Sequence, residues 1–249
     1  MARRWARAWR RRRVRVAAAL LLCGLVTLLL LAGLLTRITP EWWTAAEPGA
    51  GAKRRAETLE NAVITQLTLA REGDPGFVPP HAGAWRSKAW AVSISQEDIN
   101  AWMDDRLPQW LGNRERGFVW PGVLSRPRVE CREGCVRIGV LAGQDSPRVV
   151  WAELTPEVRE DGSLWVVASA GWVGRLPIPA SWVLGGGGGY LPKSARDDGQ
   201  MHDWLGALRG KGPLASPGVI RLDSGRQVRL VSIACHAGRV EVVAVSERE

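Results

Sequence analysis

Residues 16–36 read VAAALLLCGLVTLLLLAGLLT, and none of these 21 residues carries a charge. At 1.5 Å per residue, a helix of this length spans about 30 Å, which is the thickness of a bilayer's hydrocarbon core. The run is longer than the apolar region of a typical signal peptide, and residues 34–37 (LLTR) do not form a small-residue cleavage site. We therefore expect an uncleaved transmembrane anchor rather than a cleaved signal peptide.

The basic residues are concentrated before this run. Residues 1–15 contain eight Arg and no acidic residue, so nearly all of the net charge of +9 lies there. Because the remaining chain is close to neutral, the charge does not indicate a nucleic-acid-binding protein. The positive-inside rule instead predicts that the tail is cytoplasmic and that residues 37–249 lie on the far side of a cytoplasmic (inner) membrane.

Residues on both sides of the run are expected at the membrane interfaces. Arg13 and Arg15 precede it, and Trp42 and Trp43 follow it, where indole rings favour the headgroup layer. The lipid bilayer is thus the first predicted partner of the chain.

The rest of the chain divides by composition and periodicity. A hydrophobic content of 46% is ordinary for a globular protein. We predict a basic tail (1–15), a transmembrane anchor (16–36), a tether (37–52), an amphipathic helix and loop (53–84) and an extracytoplasmic α+β domain (85–249).

Within that domain, a strand is predicted to lead directly into a helix. Residues 88–94 alternate between bulky and small side chains, as in a strand. Ser95 is a good N-cap, and Glu97 and Asp98 suit the positive start of a helix whose buried stripe includes Trp102.

Most of the remaining sequence is typical of an antiparallel meander. We predict strands over 128–131, 135–141, 148–154, 164–172, 226–234 and 239–245. The expected fold class is α+β: an N-terminal transmembrane helix, then a curved β-meander sheet packed on two or three helices.

The cysteines outside the apolar run are Cys131, Cys135 and Cys235. Cys131 and Cys135 flank a predicted hairpin turn, and an extracytoplasmic location would permit a disulfide between them. Free thiols are the alternative, and a metal site is disfavoured because no second Cys pair or nearby His accompanies them. The hairpin at Cys131 and the one at Cys235 share a C-x-x-G-x-V pattern, which indicates either an internal repeat or simply two similar hairpins.

No arrangement typical of catalysis is present. A glycine run precedes Lys193 and Ser194, but Pro192 stands where a phosphate loop needs glycine. The remaining candidates are two acidic pairs and three scattered histidines: Asp104, Asp105, Asp197, Asp198, His81, His202 and His236. We therefore expect no catalytic residues, no metal and no cofactor.

The chain contains 14 Trp, and their roles are expected to differ. Those in helical or alternating register, such as Trp90, Trp102 and Trp204, are predicted to fill the core. Trp182 precedes the glycine run and is the best candidate for a side chain that faces a ligand or the membrane. The full set of such candidates is Trp182, Gly185, Gly187, Gly189 and Tyr190.

The order of these parts resembles bacterial single-pass envelope proteins of the YpmS type. The resemblance rests on ISQEDINAW at 94–102 and VGRLPIP at 173–179, and it covers roughly residues 85–191. The outer domains of that family resemble tubular lipid-binding modules, in which a curved antiparallel sheet wraps a helix. The five glycines, the cysteines and the Trp content depart from the family pattern.

The leading hypothesis is a membrane-anchored, non-enzymatic outer domain that binds a lipid or another apolar ligand, or that docks on other envelope proteins. The alternative is an envelope scaffold without a ligand cavity. A hydrolase that acts on an envelope polymer is a third hypothesis, and it would require a cleft that gathers carboxylates or histidines.

Overall fold

The computed structural model describes residues 2–44, 49–71, 84–114, 122, 124–184, 199–222 and 225–248, with side chains described from 16 onward and, in the helix that begins at 199, from 203 onward. The helices are α1 (Ala2–Leu35), α2 (Ala50–Thr68), α3 (Gln96–Asp105), α4 (Leu107–Arg114), α5 (Ala180–Leu184) and α6 (Gly199–Leu208). The strands are β1 (Trp85–Arg86), β2 (Trp90–Ser95), β3 (Arg128–Arg132), β4 (Cys135–Ala142), β5 (Arg148–Val158), β6 (Leu164–Val173), β7 (Leu176–Ile178), β8 (Val219–Arg221), β9 (Gln227–His236) and β10 (Arg239–Arg248).

The apolar run forms the second half of α1. Its span Val16–Leu35 has a mean hydropathy of 2.7, and none of its most apolar 18-residue window is buried inside the protein. A helix of this length and composition is suited to cross a membrane, so it fits a single-pass anchor.

The rest of the fold is α+β and contains two five-stranded antiparallel sheets. The first sheet is a sequential meander in the order β3-β4-β5-β6-β7. In the second sheet β10 is central, because it pairs with β9 on one side and with both β1 and β2 on the other, while β8 pairs with β9. The single sheet expected from sequence is therefore two sheets, since the last strands pair with the strands that precede α3.

The core is centred on the middle strand of the meander. Val149, Val150, Trp151 and Ala152 are consecutive in β5 and all are buried. Because successive side chains in a strand point to opposite faces, β5 is covered on both faces. In the second sheet the buried residues include Val228 and Ala244.

The strand-to-helix unit has the predicted arrangement. Ser95 is the N-cap of α3, and its side chain accepts a hydrogen bond from the Asp98 amide at 3.1 Å. Helix α3 then lies along the outer edge of β3: the Asn100 side chain donates to the Val129 carbonyl at 3.0 Å and accepts from the Val129 amide at 2.8 Å. An edge strand presents unpaired backbone groups, and the side chain satisfies them here as a neighbouring strand would.

Candidate functional site

The end of the apolar helix is docked on the turn between β6 and β7. The Arg175 amide donates to the Leu35 carbonyl at 2.9 Å, and the Arg175 guanidinium contacts Glu41 at 2.7 Å. Gly174 has a φ of +58°, and a Cβ there would lie 2.6 Å from the carbonyl oxygens of both Leu35 and Thr36. The backbone approach is thus possible only with glycine, and it fixes the first sheet against the end of the anchor.

Trp42 and Trp43, predicted at the membrane interface, also lie against this sheet. The Trp42 ring makes an edge contact with Trp151 at 5.7 Å, and Trp151 stacks on Trp172 at 3.8 Å across neighbouring strands. Gly139 leaves the necessary space, because a Cβ there would lie 2.8 Å from the Cβ of Trp151 and 3.0 Å from the Trp42 ring. Residues 37–44 therefore include a packed connection, whereas the sequence predicted a tether; contact of these indoles with lipid stays a prediction.

The turns of two hairpins meet at the junction of the sheets. The Gly134 amide donates to the Cys235 carbonyl at 3.0 Å, and the Gly238 amide donates to the Cys131 carbonyl at 3.1 Å. These reciprocal bonds pair residues 131–134 with residues 235–238 in antiparallel register, and we call this pair of turns the hairpin clasp. Its two halves are the C-x-x-G segments whose similarity is visible in the sequence.

Side chains reinforce the clasp. The Glu133 carboxylate accepts from the Ala237 amide at 3.0 Å and lies 3.5 Å from Nδ1 of His236. The backbone hydrogen bond from Ala237 lowers the pKa of the exposed Glu133 carboxyl, with His236 contributing in the same direction. Glu133 is therefore held ionised across the junction.

Helix α3 is joined to both halves of the clasp through one residue. The Gln96 amide donates to the Gly238 carbonyl at 2.8 Å, and the Gln96 side-chain oxygen accepts from the Cys131 amide at 2.8 Å. The ISQEDIN segment thus supplies a cap (Ser95), a clasp contact (Gln96) and an edge contact (Asn100). Sequence analysis identified only the cap, because the other two contacts involve residues distant in the chain.

A groove of about 640 Å³ runs beside the clasp, and we call it the clasp groove. Arg137 lies in it between two carboxylates, 3.1 Å from Glu130 and 3.2 Å from Glu153. Charged and polar side chains line it together with apolar surface, and the lining residues are Trp42, Gln96, Glu130, Cys131, Arg132, Glu133, Cys135, Arg137, Glu153, Ala237 and Gly238.

A second groove, of about 680 Å³, lies between the start of α2, α3 and β3. Asp104 lines it and is paired with Arg128 at 2.8 Å. Partial burial nevertheless raises the pKa of the Asp104 carboxyl, since the loss of solvation outweighs the attraction of Arg128. Polar and apolar surface line this groove in equal measure.

The predicted ligand-facing residues are only partly described. Trp182 lies on α5 and is 66% exposed. The prediction that Trp204 fills the core is wrong: it lies on the short helix α6 and is 45% exposed, whereas Trp90 and Trp102 are half-buried. Gly185, Gly187, Gly189 and Tyr190 lie outside the described residues, as do the side chains of Arg13 and Arg15.

The structure does not bring the predicted cysteine pair together. Cys131 lies opposite Val136 in the ladder and Cys135 lies opposite Arg132, so the two thiols point to opposite faces of the hairpin. Both cysteines are unpaired, as is Cys235. The predicted bond across the turn is therefore disfavoured by the register.

The polar candidates for chemistry are separated from one another. Asp104 pairs with Arg128, Asp105 lies 3.5 Å from Arg106, and His236 is in the clasp. His81, Asp197 and Asp198 and the side chain of His202 lie outside the described residues. In the part of the chain that the structure describes, no group of three or more His, Cys, Asp or Glu could hold a metal ion.

Comparison with known proteins adds no relative: no protein-family model, curated protein or solved structure matches this chain.

Proposed function

We propose that this protein is a membrane-anchored, extracytoplasmic, non-enzymatic interaction domain that docks on another envelope protein through the clasp groove. The observation that carries the proposal is the charged wall of this groove, in which Arg137 bridges Glu130 and Glu153 on two rigid strands. Preformed charges of both signs favour a protein surface of complementary charge over an apolar molecule.

The junction with the anchor supports the same proposal. Because the Leu35 carbonyl is bound by the Arg175 amide and the adjacent chain packs through Trp42, the domain is held in one position relative to the end of α1. A fixed position reduces the orientational freedom that is lost when a membrane-bound partner docks.

Arg132 is the residue of the groove best suited to contact a partner. It lies at the end of β3, its side chain is 50% exposed, and its Nε is 3.6 Å from Glu130. Arg159 is a matched control, because its side chain is 46% exposed and its Nε is 3.6 Å from Glu157, but it does not line the clasp groove.

The test uses the full-length protein in native membranes, with a photo-crosslinking amino acid placed at Arg132 or at Arg159. We expect a discrete protein adduct from position 132 and none from position 159. In co-purification of the adduct partner, Arg132→Glu should reduce recovery about tenfold, which corresponds to about 1.4 kcal/mol, and Arg159→Glu should have no effect. Equal crosslinking from positions 132 and 159, or equal recovery of the partner with Arg132→Glu and Arg159→Glu, would overturn the proposal.

A lipid or another apolar ligand is the second candidate function, and a different surface favours it. Trp182 on α5 and Trp204 on α6 are 66% and 45% exposed, and the two helices are joined where Arg209 donates to the Leu184 carbonyl at 2.6 Å. Native mass spectrometry of the full-length protein released from membranes tests this candidate. A lipid adduct that is lost in Trp182→Ala and retained in Arg132→Glu would favour ligand binding over docking.

A further inference from the structure

The hairpin clasp brings together two buried cysteines from opposite ends of the domain. Cys131 and Cys235 are 3% and 5% exposed. They occupy equivalent positions, since each is followed three residues later by the glycine whose amide binds the other's carbonyl. The clasp thus holds the two strand ends that carry these cysteines against each other, and both side chains are buried there.

The electrostatics of the thiols agree with this geometry. Burial raises the pKa of Cys131 to about 11, and the neighbouring Cys235 thiolate adds to the increase. Burial also raises the pKa of Cys235, and the nearby Cys135 adds to that increase. Two such thiols are almost entirely protonated at neutral pH, so once the domain has folded they are poor nucleophiles.

We propose that Cys131 and Cys235 form a disulfide that closes the clasp while the domain folds outside the cytoplasm. The inference rests on the extracytoplasmic location in the proposed function. One S–S bond forms as both thiols lose their hydrogens. The two electrons and two protons pass to the disulfide of a thiol–disulfide oxidoreductase, which is reduced to its dithiol. Cys135, on the opposite face of its hairpin, stays free.

The bond would close a loop of about 100 residues that contains β4 to β7 of the first sheet and β8 and most of β9 of the second. Long closed loops restrict the unfolded chain more than short ones, so this pairing stabilises more than a bond across the turn from Cys131 to Cys135. It would also join β3 of the first sheet covalently to β9 of the second. At this place the two strand ends are already connected by the hydrogen bonds of the Gly134 and Gly238 amides.

The test traps thiols with acid in cells that express the full-length protein, then denatures it and attaches a polyethylene-glycol maleimide before or after reduction. With four cysteines in the chain, we expect two adducts before reduction and four after it. Cys135→Ser should give one and three, whereas Cys131→Ser and Cys235→Ser should each give three in both conditions. Because labelling follows denaturation, buried thiols are counted together with exposed ones.

Three outcomes would overturn a disulfide between Cys131 and Cys235. Four adducts before reduction would show that no bond forms. Loss of the bond in Cys135→Ser with its retention in Cys235→Ser would show a bond between Cys131 and Cys135. Loss of the bond in Cys135→Ser with its retention in Cys131→Ser would show a bond between Cys135 and Cys235, which are also neighbours. A membrane-impermeant maleimide, applied to cells that express a variant with an introduced surface cysteine, tests the extracytoplasmic location separately. If the maleimide labels that cysteine from outside while Cys131 and Cys235 are free thiols, the disulfide proposal alone fails. If the maleimide does not reach that cysteine, the proposed location fails as well.

Discussion

Gly174 is the residue at which the anchor and the domain depend on each other most directly. It combines a φ of +58° with carbonyl oxygens of the anchor end that would lie 2.6 Å from any Cβ at this position. Gly238 has a similar φ of +78°, but a Cβ there would meet nothing within 4 Å. The two glycines therefore separate the cost of backbone strain from the cost of a steric clash.

Gly174→Ala should lower the free energy of unfolding by about 3 kcal/mol or more, because strain and displacement of the Leu35 segment add. Gly238→Ala should cost only about 1 to 2 kcal/mol from the backbone. Denaturant unfolding of the full-length protein in detergent, followed by tryptophan fluorescence, gives both values. Equal losses would contradict the described contact between Gly174 and the anchor end.

The stability of the hairpin clasp should depend on pH through Glu133. The pKa of Glu133 is lowered from 4.5 in the folded protein, so its stabilising contacts are complete above about pH 4.5 and are lost as the pH falls through the lower folded-state value. Glu133→Gln should remove this contribution, while the exposed control Glu157→Gln should not. Carboxyl NMR titration that places the pKa of Glu133 at or above its ordinary value would contradict the prediction.

Sequence reasoning at the residue scale succeeded where the partner is local. Ser95 is identifiable as an N-cap because its side-chain oxygen accepts from the amide of Asp98, only three residues further on. The role of Gly174 was not visible, because glycine in a turn is common and Leu35 lies far away in the sequence.

Helix α3 is the element that connects the most parts of the domain. Its first residue binds the clasp, and Asn100, one turn later, binds both backbone groups of Val129 on the edge of β3. Helical spacing of four residues places these two amide side chains on the same face.

Asn100→Ala should destabilise the protein by about 2 kcal/mol, because it leaves a partly buried amide and carbonyl of β3 without their partner. Gln109→Ala is the control: that side chain donates to the Asp105 carbonyl at an exposed position, so its loss should cost less than about 0.5 kcal/mol. Hydrogen exchange should accelerate at the Val129 amide in the first variant alone. Unchanged exchange at Val129 would contradict the described edge contact.

The predicted elements were accurate where the hydrophobic pattern is long. The four meander strands lie within a few residues of their predicted bounds, and β9 and β10 exist as predicted. The two-residue β1 and the three-residue β7 and β8 were missed, because so few residues show no periodicity and all three depend on pairing with longer strands.

At the scale of the whole molecule, the α+β class and the apolar N-terminal helix followed from composition and periodicity. The division into two sheets did not, because it depends on whether β10 pairs with the meander or with β1 and β2, and both pairings satisfy the same alternating pattern. The C-x-x-G similarity was the only sequence signal of the clasp, and it could not show that the two turns contact each other.

The most direct test determines on which side of the membrane the domain lies. Glu157 on β5 has a side chain that is 62% exposed, so Glu157→Cys in a Cys135→Ser background offers an accessible thiol. An impermeant maleimide applied to intact spheroplasts should label this cysteine as fully as it does after lysis, and the protein should remain in the membrane fraction after alkaline extraction. Labelling only after lysis, or recovery of a shortened soluble chain that lacks residues 16–36, would contradict an anchor that carries the domain across the membrane.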